Sequence, residues 1–153
     1  MDFLKVKLKA CLEAIHEDNL GTLSQELIQY CIYPRLMFSA QDAMYSLHFL
    51  KTLHILRVPN FNMIQTLAQI LKNVVPSIHC CTTAESDNLG IFFLELFTMI
   101  NEWAKPEVWE RECEGYSGFS KMIGTSQSIK LGEFQSISET IHKRFAQNLT
   151  VCF

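Results

Sequence analysis

The sequence predicts an all-α fold: an irregular antiparallel array of about seven helices, either α-solenoid-like or a compact bundle. Three observations carry this. Only 6 Gly and 4 Pro occur in 153 residues, too few for a turn-rich β-sandwich or barrel. Apolar residues recur at helical spacing in most segments, most clearly Leu89, Phe93, Leu96, Ile100 and Trp103. Cap signals stand where those segments begin: Ser39 with Asp42, and Thr82 with Glu85.

Taken in order, Leu4, Leu8, Cys11, Leu12 and Ile15 give a first amphipathic helix, and Asn19 and Gly21 stop it. Leu23, Leu27 and Cys31 mark a second, short helix. Pro34 is expected to end it near Tyr33, because a residue before proline avoids the α region. Ser39 caps a third helix running to about Arg57. Ala43, Leu47 and Leu50 form one apolar face of it, and Tyr45, Phe49, Ile55 and Leu56 another, so it is expected to be buried on two sides as an inner helix.

Asn60 is the expected cap of a fourth helix, which carries Ile64, Leu67, Ala68, Leu71 and Val75. Pro76 cannot sit inside that helix without a kink and begins a short turn through Cys81. The capping box Thr82–Glu85 opens the longest helix, to Trp103. Pro106 opens a short one through Glu114; Gly115 and Gly118 frame a turn around Tyr116 and Phe119; residues 120–130 read as loop. The last helix carries Leu131, Phe134, Ile137, Ile141, Phe145 and Leu149 on one apolar face. Glu133, Glu139, Lys143 and Arg144 face outward. The whole of 1–153 is expected to be one helical domain.

Composition narrows the function classes. Hydrophobic residues are 48 % and charged residues 19 %, which is incompatible with dominant disorder. The net charge of −3 argues against a phosphate-seeking surface over the whole chain. The longest apolar stretch, Leu89–Ile100, is interrupted by Glu95 and falls short of the roughly 20 residues a bilayer span needs. The N-terminus lacks the apolar core and small-residue cleavage site of a secretory signal, so the cysteines are expected to be reduced.

No sequence-local chemistry stands out. His79-Cys80-Cys81 diverge by about 100° per residue on a helix and cannot easily close on one metal. No CxxC, HExxH, GxSxG or phosphate-binding glycine loop occurs, so catalytic residues, cofactor and metal are each expected to be none. Acidic residues crowd 85–114, where only Lys105 and Arg111 oppose them: a solvated face or a docking patch for a basic partner. Lys5, Lys7, Lys9, Lys143 and Arg144 leave a helical RNA-binding module as the alternative, although no aromatic residues interleave with them.

One set of residues is more specific. Cys31-Ile-Tyr-Pro-Arg35, then Phe38-Ser39, Asp42-Ala43, Pro59-Asn60-Phe61, Cys81-Thr82 with Glu85, and Trp109-Glu-Arg-Glu-Cys-Glu-Gly-Tyr-Ser-Gly-Phe119 follow one another in an order and spacing that resembles the C-terminal helical region of the THO complex subunit 2 family. The likeness runs from about Leu23 to Phe145. Trp109 stands where a Tyr is common, Ser117 replaces a Pro, and Glu114 is an added residue.

The resemblance implies a non-enzymatic scaffold of the nucleus that organises the THO/TREX assembly for mRNA packaging and export. Its implied partners are the other THO complex subunits and the DEAD-box RNA helicase of TREX, with RNA reached indirectly and no membrane. It further implies that the chain is a segment or reduced form of a larger scaffold subunit, whose neighbouring helices would cover the apolar excess. Arg35, Trp109 and Arg111, polar or amphipathic residues inside the family-like motifs, are the candidate partner-binding residues. Beside that role, Arg35 could cap helix-end carbonyls and Trp109 could be core.

Overall fold

The computed structural model describes residues 6, 24–58, 60–121 and 128–150. A π-helical turn, Leu27–Ile32, runs directly into α1 (Tyr33–Phe38), followed by α2 (Ala40–Ile55) and α3 (Met63–Asn73). A 3-10 segment, Val75–Cys80, leads to α4 (Thr83–Trp103) and α5 (Pro106–Glu112). A 3-10 turn, Ser117–Phe119, and α6 (Leu131–Thr150) complete the order. The fold is all-α as expected; the nearest thing to a strand among the described residues is one isolated bridge between Ser120 and Ser128. The expected first helix, with Lys5, Lys7 and Lys9, lies outside the described residues apart from Val6.

The caps are local chemistry and form where the sequence puts them. Ser39 stands in extended backbone, and its hydroxyl accepts from the Asp42 amide at 3.1 Å. Thr82 and Glu85 close a full capping box, with the Thr82 amide donating to the Glu85 carboxylate at 2.7 Å. α2 ends in a Schellman arrangement: Val58 N–H reaches Leu53 O at 3.2 Å, and Arg57 N–H reaches His54 O at 3.0 Å. The left-handed residue this ending requires is Arg57, at φ 50°.

α4 is the central rod. It buries Leu89, Phe92, Phe93, Leu96, Met99, Ile100 and Trp103. α2 packs along it, and α1 packs against both. α3 joins the other half, meeting Val75–Cys80, the 117–119 turn and α6. Phe93 and Phe97 hold α6 to α4 through Phe145, at ring separations of 4.9 and 4.7 Å.

Three expectations are corrected. Pro34 does not end the second helix; it sits in the first turn of α1, and the wide π turn before it carries the chain through. There Tyr33 N–H bonds five residues back to Ile28 O, a spacing that relieves the crowding a proline ring imposes on an α-helical turn. The cap of α3 is Asn62, not Asn60; Asn60 takes a left-handed conformation at φ 64°, and Asn62 accepts from Gln65 N–H at 2.9 Å. α2 is not buried on both sides: Ala43, Leu47 and Leu50 are core, but Tyr45 is 56 % and Ile55 46 % exposed.

Candidate functional site

The Trp109–Phe119 stretch folds into a knot around one histidine from α2. His54 is almost fully buried, with its ring against Phe119 at 4.9 Å, Tyr116 at 5.1 Å and Trp103 at 5.3 Å. Its Nε2 lies 2.8 Å from the backbone carbonyl of Glu112. A carbonyl only accepts, so Nε2 carries the proton and Nδ1 bears the lone pair. Nδ1 is buried, has no hydrogen-bond partner among the described residues, and faces Gly118.

Burial, the largest influence, pushes the His54 pKa down and keeps the ring neutral; Lys51 and Arg57 push the same way, while the Glu112 carbonyl and carboxylate oppose them. The Glu112 carboxylate accepts from Trp103 Nε1 at 3.2 Å and from Arg111 at 2.8 Å, and lies 3.5 Å from Lys51 Nζ. Burial works upward on its pKa, but these donors outweigh burial and hold it below the ordinary value.

Each remaining residue of the motif has a mechanical reason. Phe119 meets Trp109 at 5.1 Å and Phe134 at 5.3 Å, tying α5 to α6. Gly115 takes φ 73°, the left-handed turn that leads out of α5. The Arg57 guanidinium lies 4.1 Å above the Tyr116 ring. Cys113 is buried, and burial raises its pKa to about 12, so it stays a protonated apolar thiol. Ser120 receives Asn62 Nδ2 on its carbonyl at 2.9 Å and its hydroxyl at 3.1 Å, joining the knot to the start of α3.

The surface with the character of an interface lies elsewhere. Tyr30, Phe38 and Tyr45 are 70, 82 and 56 % exposed. Tyr30, Cys31, Pro34, Arg35, Tyr45 and Phe49 line an open groove of about 450 Å³ between the π turn with α1 and α2. Tyr45 and Phe49 stack one turn apart, with their rings 13° from parallel. Contiguous exposed aromatic surface of this kind marks interaction sites.

The three candidate residues separate in space. Arg35 sits on the aromatic groove, 5.4 Å from the Tyr45 ring, and pairs with Asp42 at 3.1 Å. Arg111 is well exposed and pairs with Glu112 at the edge of the knot. Trp109 is 3 % exposed, a core residue with no surface to offer a partner. Sequence reading missed His54 as the hub of the motif and missed the aromatic groove; the run of Tyr30, Tyr45 and Phe49 was its signal. Among the described residues, no three His, Cys, Asp or Glu side chains are placed to share a metal ion, and no helix is long and apolar enough to cross a membrane.

Comparison with known proteins gives a consistent answer. The family described as Transcription factor/nuclear export subunit protein 2 matches residues 3–153. The chain is 33 % identical to THO complex subunit 2 of Arabidopsis thaliana over 85 % of its own length, and 26 % identical to that of Homo sapiens over 77 %. The Saccharomyces cerevisiae subunit is 30 % identical over 49 % of the chain. The matched part is 7 %, 8 % and 5 % of those relatives respectively, so the chain spans less than a tenth of their length. No solved structure matches.

Proposed function

Because the chain belongs to the THO complex subunit 2 family, we propose that it is a non-enzymatic helical scaffold in the nucleus. It organises part of the THO/TREX assembly that packages nascent mRNA and hands it on for export. Its partners in this reading are the other THO complex subunits and the DEAD-box RNA helicase of TREX.

The observation that carries the proposal is the open aromatic groove in which Tyr30 and Tyr45 are exposed beside Arg35. A chain that already buries a core of large side chains gains nothing by leaving these rings in water unless another surface covers them. The family-specific residues fit the same division of labour. Those around His54 hold the shape, while Arg35 on the groove and Arg111 beside the knot remain accessible to a partner. Trp109 acts from within by locking α5 against α6.

Co-purification of the tagged chain with the other THO subunits and the helicase tests the proposal. Retention of at least one of them at physiological salt supports it. Retention of none overturns it, and RNA binding that falls steeply with salt in the same preparation would put the RNA-binding module in its place.

A further inference from the structure

A second surface, on the opposite half of the fold, has a different chemistry. α3 and α6 stand apart over two adjoining hollows of about 470 and 210 Å³, which share Ala68, Leu71 and Arg144. The gap has a simple cause. Leu67 and Ile70 turn into the core, while the outward position between them is the small, exposed Ala68.

The floor of the cleft is aliphatic: Ile64 and Leu71 from one helix, Ile137 and Ile141 from the other. Its rim is cationic. Lys72 and Arg144 stand over the larger hollow, and neither has an ion pair among the described residues. The other rim groups include the side-chain amides of Gln69 and Gln147, uncharged groups that both donate and accept; Gln69 accepts from Asn73 Nδ2 at 3.2 Å through its oxygen. No carboxylate is among the described residues that line the cleft. Glu133, further along α6, is held by Lys121 at 2.6 Å. In a chain of net charge −3 whose acidic residues crowd 85–114, this is a local reversal of sign over an apolar trough.

We propose that the α3–α6 cleft is a docking groove for an acidic amphipathic segment of a partner protein, with aliphatic side chains on the Ile137–Leu71 floor and carboxylates paired with Lys72 and Arg144. A helix laying an apolar stripe into such a groove is a recurrent recognition mode. Single-stranded RNA fits worse, because no aromatic ring among the lining residues offers a base a stacking surface. The proposal deepens the scaffold reading by naming the chemistry of one partner, and it rests on that reading.

The test uses the full chain and a fluorescent peptide of about 15 residues, the length at which isolated helices begin to hold. It carries Leu at i, i+3, i+4 and i+7 and Glu at most other positions. Binding is expected, with NMR shifts centred on Ala68, Leu71 and Ile137. Arg144→Glu and Lys72→Glu should each weaken it at least about fivefold, as loss of a charge contact does. Ala68→Trp should block it by filling the trough. A peptide with Ser in place of Leu should lose most of the affinity. Equal binding of that Ser peptide, shifts centred on the aromatic groove instead, preferential binding of an oligo(U) RNA in the cleft, or no binding at all would each overturn the proposal. The altered side chains are exposed, so the variants should fold, and an unchanged thermal melt confirms it. Capture of THO subunits by the unmodified chain is read separately. No peptide binding with capture intact overturns the groove alone, and no capture with peptide binding intact overturns the scaffold reading alone.

Discussion

A methyl group on Gly118 would lie 2.5 Å from Nδ1 of His54, closer than two such atoms can approach. The contact joins the end of α2 to the turn after α5, far apart in the chain. Gly118→Ala should therefore destabilise the fold by about 1–3 kcal/mol through overpacking. Urea unfolding measures this, and a double-mutant cycle identifies the cause. In a His54→Ala background the same change should cost clearly less. An equal cost in both backgrounds would show that the two residues do not press on one another.

The neutral, buried His54 makes stability depend on pH. Its folded pKa is lowered from 6.5, so as the pH falls below 6.5 the unfolded chain takes up the proton first. Stability is then lost progressively until the pH reaches the lowered folded value. Glu112, lowered from 4.5, acts in the same direction in a more acidic window. The charged groups acting on the imidazole are Lys51, Arg57 and Glu112. An NMR titration of the His54 ring should show a midpoint below 6.5. Chemical denaturation should show stability rising as the pH is raised towards 6.5 from the acid side. A ring that protonates at or above 6.5 would contradict the assignment.

Asn62 serves two elements at once. Its side-chain oxygen caps α3 at Gln65, and its side-chain nitrogen satisfies Ser120. Asn62→Ala should cost about 2–4 kcal/mol, the sum of a lost cap and buried polar groups left unpaired. Asn62→Asp keeps the cap but sets a carboxylate against the Ser120 carbonyl, so it should rescue little. Thermal unfolding of the two variants checks this; full recovery with Asp would mean that only the cap matters.

The described cysteines should label in order of exposure. Cys31 and Cys80 are exposed and should react with a thiol reagent in the folded protein. Cys113, buried and with its pKa raised to about 12, should react only after unfolding. Mass spectrometry of partially labelled protein gives the order, and early labelling of Cys113 would refute the packing of the knot.

Exposed aromatics contribute little to the fold of the free chain. Tyr30→Ser and Tyr45→Ser should each change stability by less than about 0.5 kcal/mol, as surface changes do. Together they should reduce co-purification with THO subunits. Normal capture by the double variant would remove the aromatic groove as the interface.

What could be read in the sequence was what the chain decides locally. The Ser39 and Thr82 caps need partners three residues away, so their spacing announces them. The Leu89–Trp103 stripe likewise encodes its own burial. Pro34 misled because its effect on a helix depends on the turn before it, and a wide turn removes the conflict. Asn60 and Asn62 are both plausible caps in sequence; only the left-handed backbone at Asn60 separates them. The apolar second face of α2 reads as buried in sequence, because periodicity reports which side chains are apolar and not whether anything covers them. The His54 knot was illegible for a different reason: its hydrogen bond spans 58 residues, and no local pattern carries such a pairing.

The π turn at Leu27–Ile32 sets the phase of everything that follows it in that helix. One residue more or fewer there would rotate α1 by about 100° about its axis. Arg35 would swing away from Asp42, and Leu36 would leave the core, without a single side chain being altered. A single-codon deletion in this turn is therefore a more severe lesion than most substitutions in it, and relatives that keep this surface must conserve its residue count more strictly than its letters.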